Sequence, residues 1–318
     1  MTVISGMRFN PRQGAIVADE QSSNSNRKYD IAQKLHTLSA GEQPIQAVIG
    51  GSGAADILHA VELRVDQDLT KYGPKLESAE KLAGLVGYSF QNVRNEFMDA
   101  YMRTNLGISW DEFKTGFAKS DDGENLQIEK GLMDDYRNLI SGRDSRVEFI
   151  QRNQFLILCG DAKDVKLYTT HGCQTKPMPI ARPYEVIGSG SDAADHALAG
   201  FFENRAREQK KDIDPIEGII ALLQATERAS AVNVGVGGTP YIAIISDGKI
   251  IQPSENNSKL ASEIVKAEKR DMLKSGFTSE ALASLLYRNA NFADVDQEMQ
   301  RQAHDPVALN RILRGYKV

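Results

Sequence analysis

Residues 2–20 read TVISGMRFNPRQGAIVADE, and this stretch decides the fold. Thr2 to Met7 is rich in β-branched and apolar residues, Asn10-Pro11 can turn, and GAIVAD at 14–19 continues as apolar strand. The pattern predicts a β-hairpin that commits the residue directly behind the initiator methionine to structure. If the chain turns over Phe9 to Arg12, residues whose numbers sum to 21 face each other. Thr2 then opposes Asp19 and Ile4 opposes Val17. A slip of one residue brings Glu20 opposite Thr2 instead, so spacing leaves both acids open.

A threonine at position 2 has a particular chemical use. Its hydroxyl is a poor nucleophile until a base takes the proton. Removal of Met1, which a small second residue favours, gives Thr2 a free α-amine with an ordinary pKa of about 7.7–8. One residue then supplies nucleophile and base. A nearby cation lowers the amine's pKa by disfavouring its protonated form, and an acid holds that cation in place. Asp19, Glu20 and Lys34 are the candidates in this segment.

The whole chain has 318 residues, enough for one large domain or two ordinary ones. A net charge of -5 argues against a general nucleic-acid surface. The two cysteines, Cys159 and Cys173, make no disulfide framework and no four-ligand metal site, which fits a reducing compartment. No signal peptide and no span of about 18 apolar residues is present. The expectation is a cytoplasmic protein without a membrane partner.

Further along, KYDIAQKLHTL and IQAVIGG read as strands, and residues from about 54 to 142 read as helical with SDDGEN as an exposed loop. Strands return in FIQRNQFLILCGDAKDVKLYTTHG, with GDAKD as a hairpin connection, and in PYEVIG. GSGSDAADHALAGFFENRAREQ is a turn followed by a helix. A second helix starts at Asp214, which caps it, with Pro215 in the first position and Glu217 in the first turn. TPYIAIISDGKIIQP is a strand pair around Asp247-Gly248, and the last sixty or so residues are helical. The order predicts an α+β architecture with helices outside sheets.

The glycine-rich turns admit other readings. GSGSDA at 188–193 matches the GxGxxA dinucleotide fingerprint, but the required parallel strand with an acid about twenty residues on is missing. GGSGAAD at 50–56 lacks the Lys-Ser/Thr pair of a phosphate-binding loop, and no serine sits in GxSxG. The five histidines have no ligand spacing, so neither metal nor cofactor is expected.

Taken in order, Thr2-Val3, GAIVADEQSS, QKLHTL, AVIGGSGAAD and VIGSGSDAADHAL resemble the β-type subunits of the 20S proteasome and the peptidase subunit of the bacterial ATP-dependent proteasome-like protease. The likeness covers about 1–60 and 150–253. It implies an N-terminal-nucleophile (Ntn) hydrolase fold: a four-layer αββα sandwich of two antiparallel sheets between helices. On this reading the chain is a single domain, 1–318, carrying a helical insertion at 60–148 and a helical extension at 255–318. Thr2 would be the nucleophile, Asp19 rather than Glu20 the acid, and Lys34 the cation. The Gly50 N–H would form the oxyanion hole, and Ser189 would hold the amine and relay protons. Only methionine removal would be needed for maturation.

The family places an acid and a serine before a late glycine pair. Aligning Gly237-Gly238 puts Asn233 at the acid position and Val236 at the serine position; a longer loop would use Glu227 and Ser230. The resemblance implies a threonine endopeptidase acting on peptide or unfolded protein, in a homo-oligomeric ring, with an ATP-dependent unfoldase as a possible partner. A hydrolase or transpeptidase acting on a specific amide would use the same Thr2 chemistry. The changes at 233 and 236 also suit a non-catalytic scaffold subunit.

Overall fold

The hairpin at the start of the chain forms with a register one residue away from the expected one. The computed structural model describes residues 2–20, 22–24, 27–29, 34–41, 45–120, 122–134, 152–171, 176–207 and 213–315. Strands β1 (Ile4–Asn10) and β2 (Gln13–Ala18) pair antiparallel, with Ile4 opposite Ala18 and not Val17. The ladder shifts between Arg8 and Asn10, where an extra residue is absorbed before the turn at Pro11-Arg12. Val3, not Thr2, therefore meets Asp19, whose N–H donates to the Val3 carbonyl at 3.1 Å.

A small hairpin of β3 (Ser22–Asn24) and β4 (Arg27–Tyr29) follows. Next come β5 (Leu35–Ala40) and β6 (Ile45–Ser52). Of the strand expected in KYDIAQKLHTL, residues 30–33 lie outside the described residues. The helical block holds α1 (Ala55–Tyr72), α2 (Ala79–Leu106) and α3 (Trp110–Thr115). It is interrupted by a hairpin of β7 (Phe117–Lys119) and β8 (Asn125–Gln127); of the expected SDDGEN loop, Asn125 belongs to β8 and Asp121 lies outside the described residues. Residues 135–151 lie outside the described residues.

Strands β9 (Gln154–Gly160) and β10 (Val165–His171) turn at Gly160–Asp164, and β11 (Met178–Pro179) and β12 (Tyr184–Ile187) follow. Helix α4 (Ser191–Arg207) leads to α5 (Pro215–Val232), where the Asp214 carboxylate caps the N–H groups of Ile216 and Glu217 as its position predicts. After β13 (Tyr241–Ser246) and β14 (Lys249–Ile251) the chain ends in α6 (Glu255–Lys269), α7 (Phe277–Leu286), α8 (Phe292–Gln302) and α9 (Pro306–Arg314).

Among the described residues two five-stranded sheets result, ordered β12-β1-β2-β13-β14 and β11-β10-β9-β6-β5, with every pairing in them antiparallel. Strand alternation sorts the side chains. Ile4, Ile16, Ala243 and Ile245 of the first sheet meet Val48, Leu156, Leu158 and Leu167 of the second, forming the seam between sheets. The opposite parity of the first sheet, with Val3, Met7, Val17, Ile242 and Ile244, packs under α4 to α9. Ala47, Ile49, Phe155 and Ile157 of the second sheet pack under α1 to α3. The layers are helix, sheet, sheet, helix. No described helix is long and apolar enough to cross a membrane.

Candidate active site

Thr2 lies just before β1, where the first sheet meets the turn that leaves β12. Its backbone nitrogen donates to the Ser189 hydroxyl at 3.1 Å, and its carbonyl accepts the Gly190 N–H at 3.1 Å. Gly188 opens this turn with φ +98, and a Cβ there would lie 2.9 Å from the Thr2 carbonyl carbon and 3.2 Å from the Ser52 hydroxyl. Only glycine combines that backbone conformation with that approach. The GxGxxA turn thus gives its Gly190 N–H, the donor a phosphate would need, to the protein's own first residues.

The Asp19 carboxylate is the hub of the site. Oδ1 accepts from the Val3 N–H at 2.8 Å and from Lys34 Nζ at 2.7 Å, and Oδ2 accepts from the Gly237 N–H at 3.3 Å. Asp19 is 1% exposed and Lys34 9%. Burial pushes the Asp19 carboxyl up, against the Lys34 charge and the backbone donors. Burial pushes the Lys34 ammonium down, against the attraction of Asp19. Lys34 owes its place to the entry into β5, one residue before Leu35.

Gly50 sits further inside the sandwich. It pairs with Leu35 on one side and Leu156 on the other. Its Cα faces Ile4, whose Cγ2 would stand 2.9 Å from an added Cβ. Ser52, at the end of the same strand, reaches the Gly188 turn. The loop after Ser52 is pinned by the buried Asn153, whose Oδ1 accepts from the Ala54 N–H at 2.8 Å.

Thr2, Val3, Asp19, Lys34 and Ser189 are therefore joined through hydrogen bonds, and Gly50 lies in the strand beside them. Asn233 is not joined to them. It ends α5, and both its backbone N–H and its Nδ2 donate to Ala229 O, at 2.9 and 3.1 Å. Val236 is buried, in the apolar layer that also holds Val3. Glu227, the other candidate acid, takes Lys269 of α6 at 3.1 Å. Sequence reasoning missed the Gly237 N–H and the Val3 N–H as partners of Asp19, because backbone donors carry no residue-type signal.

The architecture is the four-layer αββα sandwich expected from the sequence, with the chain's first residues at the head of β1, an inner strand of the first sheet between β12 and β2. Among solved structures, the Anbu Gly-1 mutant from Hyphomicrobium sp. strain MC1 is similar to it, with a TM-score of 0.53 and 12% identity over 86% of this chain and 99% of that one. Anbu from Yersinia bercovieri, described as an ancestral beta-subunit, has a TM-score of 0.56 and 12% identity over 85% and 94%. No family model and no curated protein matches the chain.

These findings correct the sequence resemblance. The solved structures reported as similar are Anbu proteins, not 20S β-type subunits or the bacterial peptidase subunit.

Proposed function

We propose that the chain is an N-terminal threonine hydrolase that cleaves peptide bonds once Met1 is removed. Thr2 Oγ1 attacks the amide carbonyl while the α-amine takes its proton, and the oxyanion forms against backbone N–H groups that include Gly50. The amine then protonates the leaving nitrogen, leaving an ester on Thr2. Water adds to that ester with the amine again as base, releasing the acid and restoring the hydroxyl. Ser189 holds the amine, and the buried Asp19–Lys34 pair supplies the cation. One observation carries the reading: the Thr2 nitrogen is held by the Ser189 hydroxyl while the next residue is gripped by the carboxylate that binds Lys34.

The test is intact mass before and after treatment with a peptide epoxyketone, which closes a ring only on a residue bearing both hydroxyl and free amine. One adduct on protein lacking Met1, and none on Thr2→Ala, supports the reading. Absence of an adduct on Met1-free protein, across peptides of varied side chains and simple amides, counts against it.

The second reading is a scaffold subunit without catalysis. The burial of Val236 among apolar neighbours and the turning of Asn233 onto its own helix favour it. The Yersinia protein's description as a beta-subunit supports, for this chain, association of several copies. Sedimentation velocity tests it, and a monomer at micromolar concentration would end it.

A further inference from the structure

The loop Gly237–Thr239 contributes to the site through its backbone, since Val236 is packed in apolar surroundings and Asn233 is turned onto α5. A loop that works through its main chain needs an outside anchor. Asp19 offers one bond to it, the 3.3 Å contact from the Gly237 N–H. That is the longest of the three bonds its carboxylate makes.

Glu20 supplies two more. Its Oε2 accepts the Thr239 N–H at 2.7 Å, and its own N–H donates to the Gly237 carbonyl at 3.1 Å. Between them Gly238 runs at φ +83, and a Cβ there would lie 2.8 Å from both Glu20 Cβ and Glu20 Oε2. The side chain lies on the loop, and glycine is what lets it lie so close.

We infer that Glu20 is a positioning residue of the Thr2 site, clamping Gly237–Thr239 so that the Gly237 N–H stays on Asp19 and Asp19 stays on Val3. This rests on the reading of Thr2 as nucleophile. Two consecutive acids divide the work. Asp19 faces the chain's first residues and Lys34, and Glu20 faces the loop. The clamp takes over the bracing for which neither Asn233 nor Val236 is placed.

The experiment compares full-length, Met1-free wild type with Glu20→Ala and Glu20→Gln. Glutamine keeps an acceptor oxygen and loses the charge, which separates the hydrogen bond from the electrostatic pull of Glu20 on Lys34. Hydrogen exchange, read by mass spectrometry, follows the amides of Gly237, Thr239 and Val3. Epoxyketone kinetics give the maximal reaction rate and the half-saturating concentration.

In Glu20→Ala the three amides are expected to exchange faster. The maximal rate should fall about tenfold, the scale of one lost charge-assisted hydrogen bond, with half-saturation unchanged. Glu20→Gln should restore most of both. Unmoved exchange and rate in Glu20→Ala, or a glutamine variant as impaired as alanine, overturns the inference while a reactive wild type leaves Thr2 intact. A wild type that never reacts removes the Thr2 reading and the clamp's catalytic purpose together.

Discussion

Asp19 and Lys34 meet at 2.7 Å, and the carboxylate oxygen that binds the ammonium also takes the N–H of Val3. The cation and the first strand are thus tied to one atom. Both side chains are buried, so removing either strands a charge in a poorly solvated place. Lys34→Met should destabilise the fold by about 3–5 kcal/mol. The double variant Asp19→Asn/Lys34→Met should recover part of that loss. Denaturant unfolding of wild type, Asp19→Asn, Lys34→Met and the double variant measures it, and strict additivity of the single effects would show that the pair does not act as a unit.

The proposed base makes a pH prediction. On the proposed reading, in which the Lys34 cation acts on the freed Thr2 amine, the amine's midpoint lies at or below its ordinary value of about 7.7. The epoxyketone rate should rise with pH through that single midpoint and then level off. In Lys34→Met the midpoint should move up, since the cation no longer disfavours the protonated amine. A rate that does not change between pH 5 and 9 would sink the amine as base.

Gly188→Ala isolates the turn beside Thr2. An L-residue at φ +98 is strained by about 1–2 kcal/mol, and the added methyl would press on the Thr2 carbonyl. The variant should fold with lowered stability and react far more slowly than wild type. Thermal melting and adduct formation check the two parts separately, and full reactivity would mean that Thr2 tolerates displacement.

A separate pH test concerns α3. Glu112 accepts from the Ser109 N–H and hydroxyl and from the Lys119 N–H, at 2.8, 2.7 and 3.0 Å. The backbone bond from Lys119, then those from Ser109, bring its carboxyl down from 4.5 to about 2. A lowered folded pKa means that the unfolded chain binds the proton first. The stabilisation is present above pH 4.5 and fades as pH falls through about 2. The melting-temperature gap between wild type and Glu112→Gln should shrink across that window. A constant gap would show that the charge contributes nothing.

Much of the fold was legible because its signals are local. Asp214-Pro215 announces α5, Asp247-Gly248 announces the last hairpin, and the apolar run of GAIVAD announces β2. The register of the first hairpin was not legible. The turn falls one residue later than expected, at Pro11-Arg12, which offsets every pair by two, and a bulge between Arg8 and Asn10 takes one residue back; bulges follow from packing rather than from residue type. The grouping of Thr2, Asp19, Lys34 and Ser189 came through resemblance, since the chain separates them by up to 187 positions. The glycine-rich turn at 188 was visible as a turn, but its occupant, the Thr2 carbonyl, comes from the far end of the chain. Asn233 misled because an alignment fixes an order of residues, not the direction in which a helix cap points.

The anchoring of Thr2 and Val3 also sets a schedule. Residue 2 is held through both its nitrogen and its carbonyl, and Val3 is fully buried with its N–H on Asp19. An aminopeptidase must draw the first residues out in extended form to cleave behind Met1. On the proposed reading, which needs a free Thr2 amine, trimming has to come before folding, while the nascent segment is still loose. Protein made without aminopeptidase activity and then folded should keep its methionine when the enzyme is added back, and should lose it only if unfolded first. Rapid trimming of the folded protein would show that this end of the first strand frays.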